Sequence, residues 1–219
     1  MFKQLLSVLL QSHCAFCQRT TPNPCCEYCC NQLSFHQFSK SDRHKLYQSQ
    51  SAYAWGRYEG QLKRAIALMK YNNKPEIGSV LGELIGRAWL ASKLSEKRLT
   101  VVPIPMHYEK QKARGFNQAE VMAKSFCRIT GYKLNTRALI RNRATEAMFN
   151  LPSTTARAKN LEGALEVGTK IPRHPVLLLD DIHTTGTTVD EATKILKQNQ
   201  IKVIGVVVAA KAGMFLPGD

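Results

Sequence analysis

The sequence predicts an α/β protein: a mostly parallel sheet flanked by helices, with a small cysteine module at its N-terminal end. Three observations predict it. The apolar runs at 99–104, 176–179 and 203–210 are continuous rather than alternating, the pattern of strands covered on both faces. Stretches with apolar residues at helical spacing separate those runs. Six of the seven cysteines fall between Cys14 and Cys30. With 219 residues and 44% apolar content, the chain can bury an α/β core of roughly 150 residues and keep a small module besides. The expected division is a zinc-binding module at 1–35, a linker at 36–52 and the α/β domain at 53–219.

Leu5, Leu6, Val8, Leu9 and Leu10 follow Lys3. This apolar run is too short for a membrane span and lacks a small-residue cleavage site, so a short amphipathic helix and a cytoplasmic protein are expected. Cys14-x₂-Cys17 and, eight residues on, Cys26-x₂-Cys29 make two knuckles suited to a tetrahedral structural Zn²⁺. A disulfide scaffold is the competing arrangement, which an intracellular chain disfavours. Cys25-x₃-Cys29 and Cys26-x₃-Cys30 would also reach. Cys14, Cys17, Cys26 and Cys29 are preferred because both spacings match and Leu33 is left to anchor the module; His13 is read as a bystander.

Residues 35–52, rich in Ser, Gln and Lys without periodicity, read as a loop. Tyr58-Glu59-Gly60 leads into a helix carrying Leu62, Ile66 and Met69, with Lys63, Arg64, Lys70 and Lys74 off its apolar face. Ile77, Leu81, Leu84, Ile85 and Ala88 mark a second helix. Neither is assigned chemistry, although Lys63, Arg64 and Lys70 can face an anion. The strand at 99–104 is ended by Pro103 and Pro105, which cannot donate to a ladder. A stiff turn at a strand's carboxyl end is where open α/β sheets place ligand contacts. Lys110, Lys112 and Arg114 then fall on what reads as a mobile cationic loop closing at Gly115. Asn117 is placed to cap a helix bearing Ala119, Met122, Phe126 and Ile129.

The chain is organised around 176–188. Four apolar residues precede Asp180 and Asp181, and a turn with Thr184, Thr185, Gly186, Thr187 and Thr188 opens a helix marked by Val189, Ala192, Ile195 and Leu196. Gly186 admits a ligand close to the backbone, and the unpaired amides at the helix start, with the hydroxyls, suit one phosphate. Two acids beside a phosphate repel it unless they hold sugar hydroxyls or a divalent ion further along the ligand. The implied ligand is a sugar phosphate with its diol toward the acids; the bland alternative is a capped helix and an ordinary turn. The formal charge is +15, and residues 111–160 alone carry ten cations against two acids. Such a balance suits a polyanion, or simply a solubilising surface.

At 176–188 the sequence resembles the 5-phosphoribosyl 1-diphosphate (PRPP) motif of type I phosphoribosyltransferases. The cysteine pairs, Tyr-x-Gly before a Lys-bearing helix, Val-Pro-Ile-Pro, Arg-Gly-Phe-Asn-Gln and that motif, in this order, look like the ComF/GntX family, from about residue 14 to about 209. The resemblance implies a type I phosphoribosyltransferase-like domain behind a zinc finger. It implies PRPP and Mg²⁺ held by Asp180, Asp181, Thr184, Thr185, Gly186, Thr187 and Thr188, with Lys110 and Lys112 on the diphosphate. Asp180, Asp181 and Arg114 are then the catalytic candidates. It also implies a part in DNA uptake during natural transformation, with single-stranded DNA and uptake machinery such as a competence helicase as partners. The chain departs from the family's Thr-x-x-Gln at Met148, although Arg141, Arg143 and Arg157 remain available to an anion. Two function classes follow: a phosphoribosyltransferase whose acceptor the sequence does not encode, or a non-catalytic single-stranded-DNA-binding competence factor with a vestigial or sensory PRPP site.

Overall fold

A computed structural model of the chain describes residues 12–39, 42–47, 50–92, 94, 98–145 and 153–213. The helix expected over 5–10 and the Met148 departure lie outside these residues. So does the Arg157 side chain.

The cysteine module leads into α1 (Glu27–Ser34) and then a six-stranded sheet. In chain order the sheet and its helices are β1 (His44–Tyr47), β2 (Gln50–Arg57), α2 (Gly60–Tyr71), α3 (Pro75–Leu90), β3 (Thr100–Pro103), α4 (Tyr108–Arg114), α5 (Gln118–Thr130) and β4 (Lys133–Leu134). After β5 (Leu139–Arg141), α6 (Thr154–Leu161) and β6 (Leu165–Val167) come β7 (Val176–His183), α7 (Thr187–Gln198) and β8 (Val203–Lys211). The strand order is β1-β2-β8-β7-β3-β4; β1 is antiparallel to β2 and every other neighbouring pair is parallel. β5 and β6 form a separate antiparallel pair.

Alternation along the inner strands sorts the core into two layers. Tyr53, Trp55, Val101, Leu177, Leu179, Val207 and Ala209 pack with Leu62, Ile66, Leu81, Met122 and Phe126 from α2, α3 and α5. Ala52, Ala54, Val102, Val176, Leu178, Val206 and Val208 pack on the other face with Val189, Ala192 and Leu196 of α7 and with Leu139 and Leu165 of the small sheet. The cysteine module is fused to the first layer: Ala15 and Leu33 belong to that cluster, and Val80 of α3 packs against Cys14, Cys25 and Cys29.

Two local readings are corrected. Residues 44–47 and 50–52, read as part of a loop or linker, are strand. β2 pairs with the inner strand β8, so its start is held by tertiary pairing that needs no periodicity of its own. Residues 108–114, read as a mobile loop, are helix α4. Glu109 in its first turn and Lys112 and Arg114 in its last complement the helix dipole, and Gly115 closes it in the left-handed region at φ 84°.

Candidate functional site

β3 leads to β4 on one side and β7 to β8 on the other, so the crevice between β3 and β7 is where the strand order reverses. β7 does not stop at Asp180, as its hydrophobic run suggests, but continues to His183 because β8 pairs with it up to Lys211. β3 contributes no partner beyond Leu179, apart from the Ile104 N–H donating to the Leu179 carbonyl at 2.9 Å. Asp180 and Asp181 therefore stand on a strand with one open side.

The turn after β7 has the form the sequence predicts. Gly186, at φ 83°, is the N-cap of α7, and no side chain caps the helix amides. Asp180, Thr184, Thr185, Gly186, Thr187 and Thr188 line one concavity. A Cβ at Gly186 would lie 3.2 Å from Nε2 of His183, so the turn closes over that ring. His183 is held neutral, its pKa pushed down to about 4 by burial first and by the Lys211 charge second. Lys211 fixes the turn from behind, with Nζ 3.0 Å from His183 Nδ1 and donating to the Thr184 carbonyl at 2.8 Å.

The two acids are not equivalent. Successive strand residues face opposite layers, so Asp180 reaches the turn's concavity while Asp181, 4% exposed, sits toward α2. There its Oδ2 forms an ion pair with Lys70 Nζ. Burial works against the Lys70 ammonium, and the charges of Asp181 and then Asp180 outweigh it, so its pKa rises. Asp180 keeps part of its surface open yet lies deep in the crevice. Its carboxyl is pushed up to about 8, by burial first and by the Asp181 charge next. It accepts from the Asp181 N–H at 2.8 Å.

Arg141 lies near Asp180, with Lys110 near Arg141. Lys110 donates to the Thr145 carbonyl at 2.5 Å, and Arg141 Nη2 donates to the Thr145 hydroxyl. Lys110 is pushed down by burial, then by the charges of Arg141 and Arg114. Burial pushes Arg141 down too, with the Asp180 charge opposing it. The buried Nε of Arg141 has no hydrogen-bond partner. Lys112 and Arg141 line an open cleft of about 520 Å³ with Pro103, Pro105 and Tyr108. Asn117 ties this side together: its Oδ1 accepts from Ala119 N–H at 3.0 Å, capping α5, and its Nδ2 donates to the Ile104 carbonyl at 3.0 Å.

In the N-terminal module the Sγ atoms of Cys14, Cys17, Cys26 and Cys29 all lie within 4.8 Å of one another, with Cys17 and Cys26 at 3.7 Å. Four thiolates on tetrahedral zinc stand about 3.8 Å apart, given a Zn–S distance of about 2.3 Å. The four cysteines fit that ion. Burial opposes the Cys14 thiolate, but the backbone N–H groups of Cys26, Cys17 and Phe16 outweigh it and hold the thiol down to about 6. Burial raises Cys29. Cys25 and Cys30 pair with each other as a disulfide, which removes them from the competing spacings, and His13 makes a backbone bridge with Thr20.

Sequence reasoning named Arg141 without choosing it, and read Lys70 as lying off the apolar face of α2, where it could face an anion; the structure instead turns it inward onto Asp181. The signal for Lys70 was present, because Leu62, Ile66 and Lys70 recur every four residues, which puts a lysine on the buried stripe of α2.

The parallel sheet with its phosphate-type turn at the reversal point, the small two-stranded sheet beside it and the four-cysteine module define a type I phosphoribosyltransferase-like α/β protein with an N-terminal metal-type module. No family model matches the chain. It is 28% identical over 156 residues to DNA utilization protein YhgH of Escherichia coli K12, a match covering 68% of this chain and 66% of that protein's own length. Competence protein F of Haemophilus influenzae is 26% identical over 212 residues, 91% of this chain and 90% of that one. Competence protein ComFC of Bacillus subtilis is 25% identical over 154 residues, 69% and 58% of the two chains. These proteins are homologues of the chain over most of its length, and its motifs resemble those of the ComF/GntX family. Among solved structures, a Staphylococcus aureus hypoxanthine phosphoribosyltransferase superposes with a TM-score of 0.38 at 18% identity, over 66% of this chain and 76% of that one. Leishmania donovani adenine phosphoribosyltransferase gives 0.36 at 10%, over 80% and 93%. At such scores the strand order and register carry the fold, not the superpositions.

Proposed function

We propose that this protein binds PRPP together with Mg²⁺ and acts in DNA uptake during natural transformation, with a structural Zn²⁺ on Cys14, Cys17, Cys26 and Cys29. One observation carries the proposal: the Asp180 carboxylate and the uncapped amides and hydroxyls of Thr184, Thr185, Gly186, Thr187 and Thr188 line a single concavity, with Arg141 near Asp180 and Lys110 near Arg141 and Arg114. A 5-phosphate sits on the amides and hydroxyls, the ribose diol faces the acids, and the cations neutralise a diphosphate. Mg²⁺ bound with the ligand would screen the diphosphate from the acids. In the transferase form of the proposal, Asp180 and Asp181 act at the reacting sugar, with Arg114, Lys110 and Lys112 on the departing diphosphate. The names of the relatives, a DNA utilization protein and two competence proteins, support the DNA role. The excess of cations over 111–160 supports a single-stranded DNA partner and, with it, contact with uptake machinery such as a competence helicase. No helix among the described residues is long and apolar enough to cross a membrane. A cytoplasmic location belongs to the proposal.

The test is a thermal melt with PRPP and MgCl₂. Ligand at about 100 times Kd stabilises by about 2.7 kcal/mol, and for a chain of this size about 1 kcal/mol moves Tm by 2–4 °C, so a rise of roughly 5–10 °C is expected. An Asp180→Ala, Asp181→Ala double variant should give none; an equal rise in both removes the site. Release of diphosphate with candidate bases separates a transferase from a sensor. Affinity for single-stranded DNA should fall steeply as salt increases, and a flat response removes the DNA partner.

A further inference from the structure

The Tyr58-Glu59-Gly60 start of α2 has no part in the site as assembled so far, yet it converges on it together with Lys70. Tyr58 follows β2 at the carboxyl edge of the sheet, where its N–H donates to the Lys211 carbonyl at 2.9 Å. The Lys211 ammonium in turn holds the Thr184 carbonyl of the phosphate-type turn. Two and a half turns into α2, on the Leu62–Ile66 stripe, Lys70 passes its ammonium through the first core layer to Asp181. The Lys70 side chain is 18% exposed and that of Asp181 6%. Oδ2 of Asp181 makes no hydrogen bond besides this ion pair among the described residues. The phenol of Tyr58 lies near both charges, and its pKa is raised by burial first, with the Lys70 charge opposing and the Asp181 charge adding.

A carboxylate in this place has two problems. It is nearly fully buried, which disfavours its charge, and it is one residue from a second carboxylate. Without a counter-ion it would turn away from its neighbour. An ammonium fixed from a rigid helix prevents that and commits one oxygen, Oδ2, to Lys70.

We infer that Lys70 is a positioning residue for the sugar site: by holding Oδ2 of Asp181 it fixes the orientation of that carboxylate and aims its other oxygen at a hydroxyl of the bound sugar phosphate. Lys70 thus acts through Asp181 and does not touch the reacting atoms. The inference rests on the PRPP reading of the site, and it explains why the helix ahead of the sheet's second half carries a lysine on its buried stripe.

Two measurements on the full chain test it. In the first, lysines are labelled with an amine-reactive reagent in the absence of ligand and each site is followed by mass spectrometry. Lys70 should react much more slowly than the exposed Lys112 in wild type and should become reactive in Asp181→Ala; labelling of wild-type Lys70 as fast as Lys112 overturns the inference whatever the ligand is. In the second, calorimetry gives the affinity for PRPP with MgCl₂. Lys70→Met should weaken it by roughly tenfold or more, the size of effect that misplacing a contact group produces. Lys70→Arg, which keeps the charge, should recover affinity to within about threefold. A merely structural lysine would lower the ligand-free Tm in Lys70→Met and leave the affinity unchanged, and that result overturns the inference too. Failure of the PRPP reading looks different: wild type itself shows no binding heat while Lys70 stays protected from label, and the positioning role then falls with the ligand.

Discussion

The packing of α3 on α5 sets the place of Asn117 and, through it, of the cationic helix α4, so a perturbation there tests how tightly the site's frame is determined. α3 presents Gly78, Gly82 and Gly86, four residues apart on one face, to α5. A Cβ built on Gly82 would stand 2.3 Å from the Met122 carbonyl oxygen and 3.0 Å from its carbonyl carbon and Cα. These are backbone atoms in mid-helix, and relief requires the helices to separate by about 1 Å, loosening contacts that include Met122 and Phe126. Overpacking of this kind costs about 1–3 kcal/mol, occasionally more, against about 1 kcal/mol recovered by replacing a helical glycine with alanine. Gly82→Ala should therefore lose roughly 2 kcal/mol net, near the upper part of that range because the opposing atoms cannot rotate away. Gly78→Ala is the control: its Cβ meets Met69 Sδ and Val121 Cγ1, each at 3.0 Å, both side-chain atoms that can yield. With the same gain in helix propensity it should come out near wild type. Urea unfolding followed by circular dichroism measures both variants, and the corresponding Tm difference is roughly 4–8 °C. If Gly82→Ala is as stable as Gly78→Ala, the close approach of these two backbones is not what positions α5, and the reasoning is refuted.

Two further predictions concern the site's supports. Asn117→Ala leaves the Ala119 N–H and the Ile104 carbonyl without their partners in a buried place, so it should destabilise by about 2–3 kcal/mol in the same unfolding assay; a loss below about 0.5 kcal/mol would mean that the two bonds are replaced by water. For the cysteine cluster, metal analysis of the purified chain should find about one zinc per chain, and Cys14→Ser should lower both the zinc content and Tm, whereas Cys25→Ser should keep the zinc. Full zinc content in Cys14→Ser would remove that residue from the ligand set.

What the sequence determined by itself is local. A continuous apolar run followed by two acids and a threonine-rich turn specifies a strand, a phosphate-type loop and a helix start, because those properties belong to contiguous residues and to the backbone between them. The same holds for Asn117, whose cap reaches two residues along the chain, and for the paired x₂ spacings that bring four sulfurs to one point. The tertiary structure decided the rest. Asp180 and Asp181 look interchangeable in the sequence, but strand alternation turns one toward the turn and the other toward α2, and only the packed helix supplies Lys70 there. Arg141 becomes a member of the cationic cluster because β5 pairs with β6 and brings it beside Asp180. Residues 44–47 become strand because β2 offers an edge, and their own pattern would not have placed them. The division follows from range: turn chemistry and capping act over a few residues, whereas the counter-ion of a buried carboxylate comes from whichever distant segment the core brings within reach.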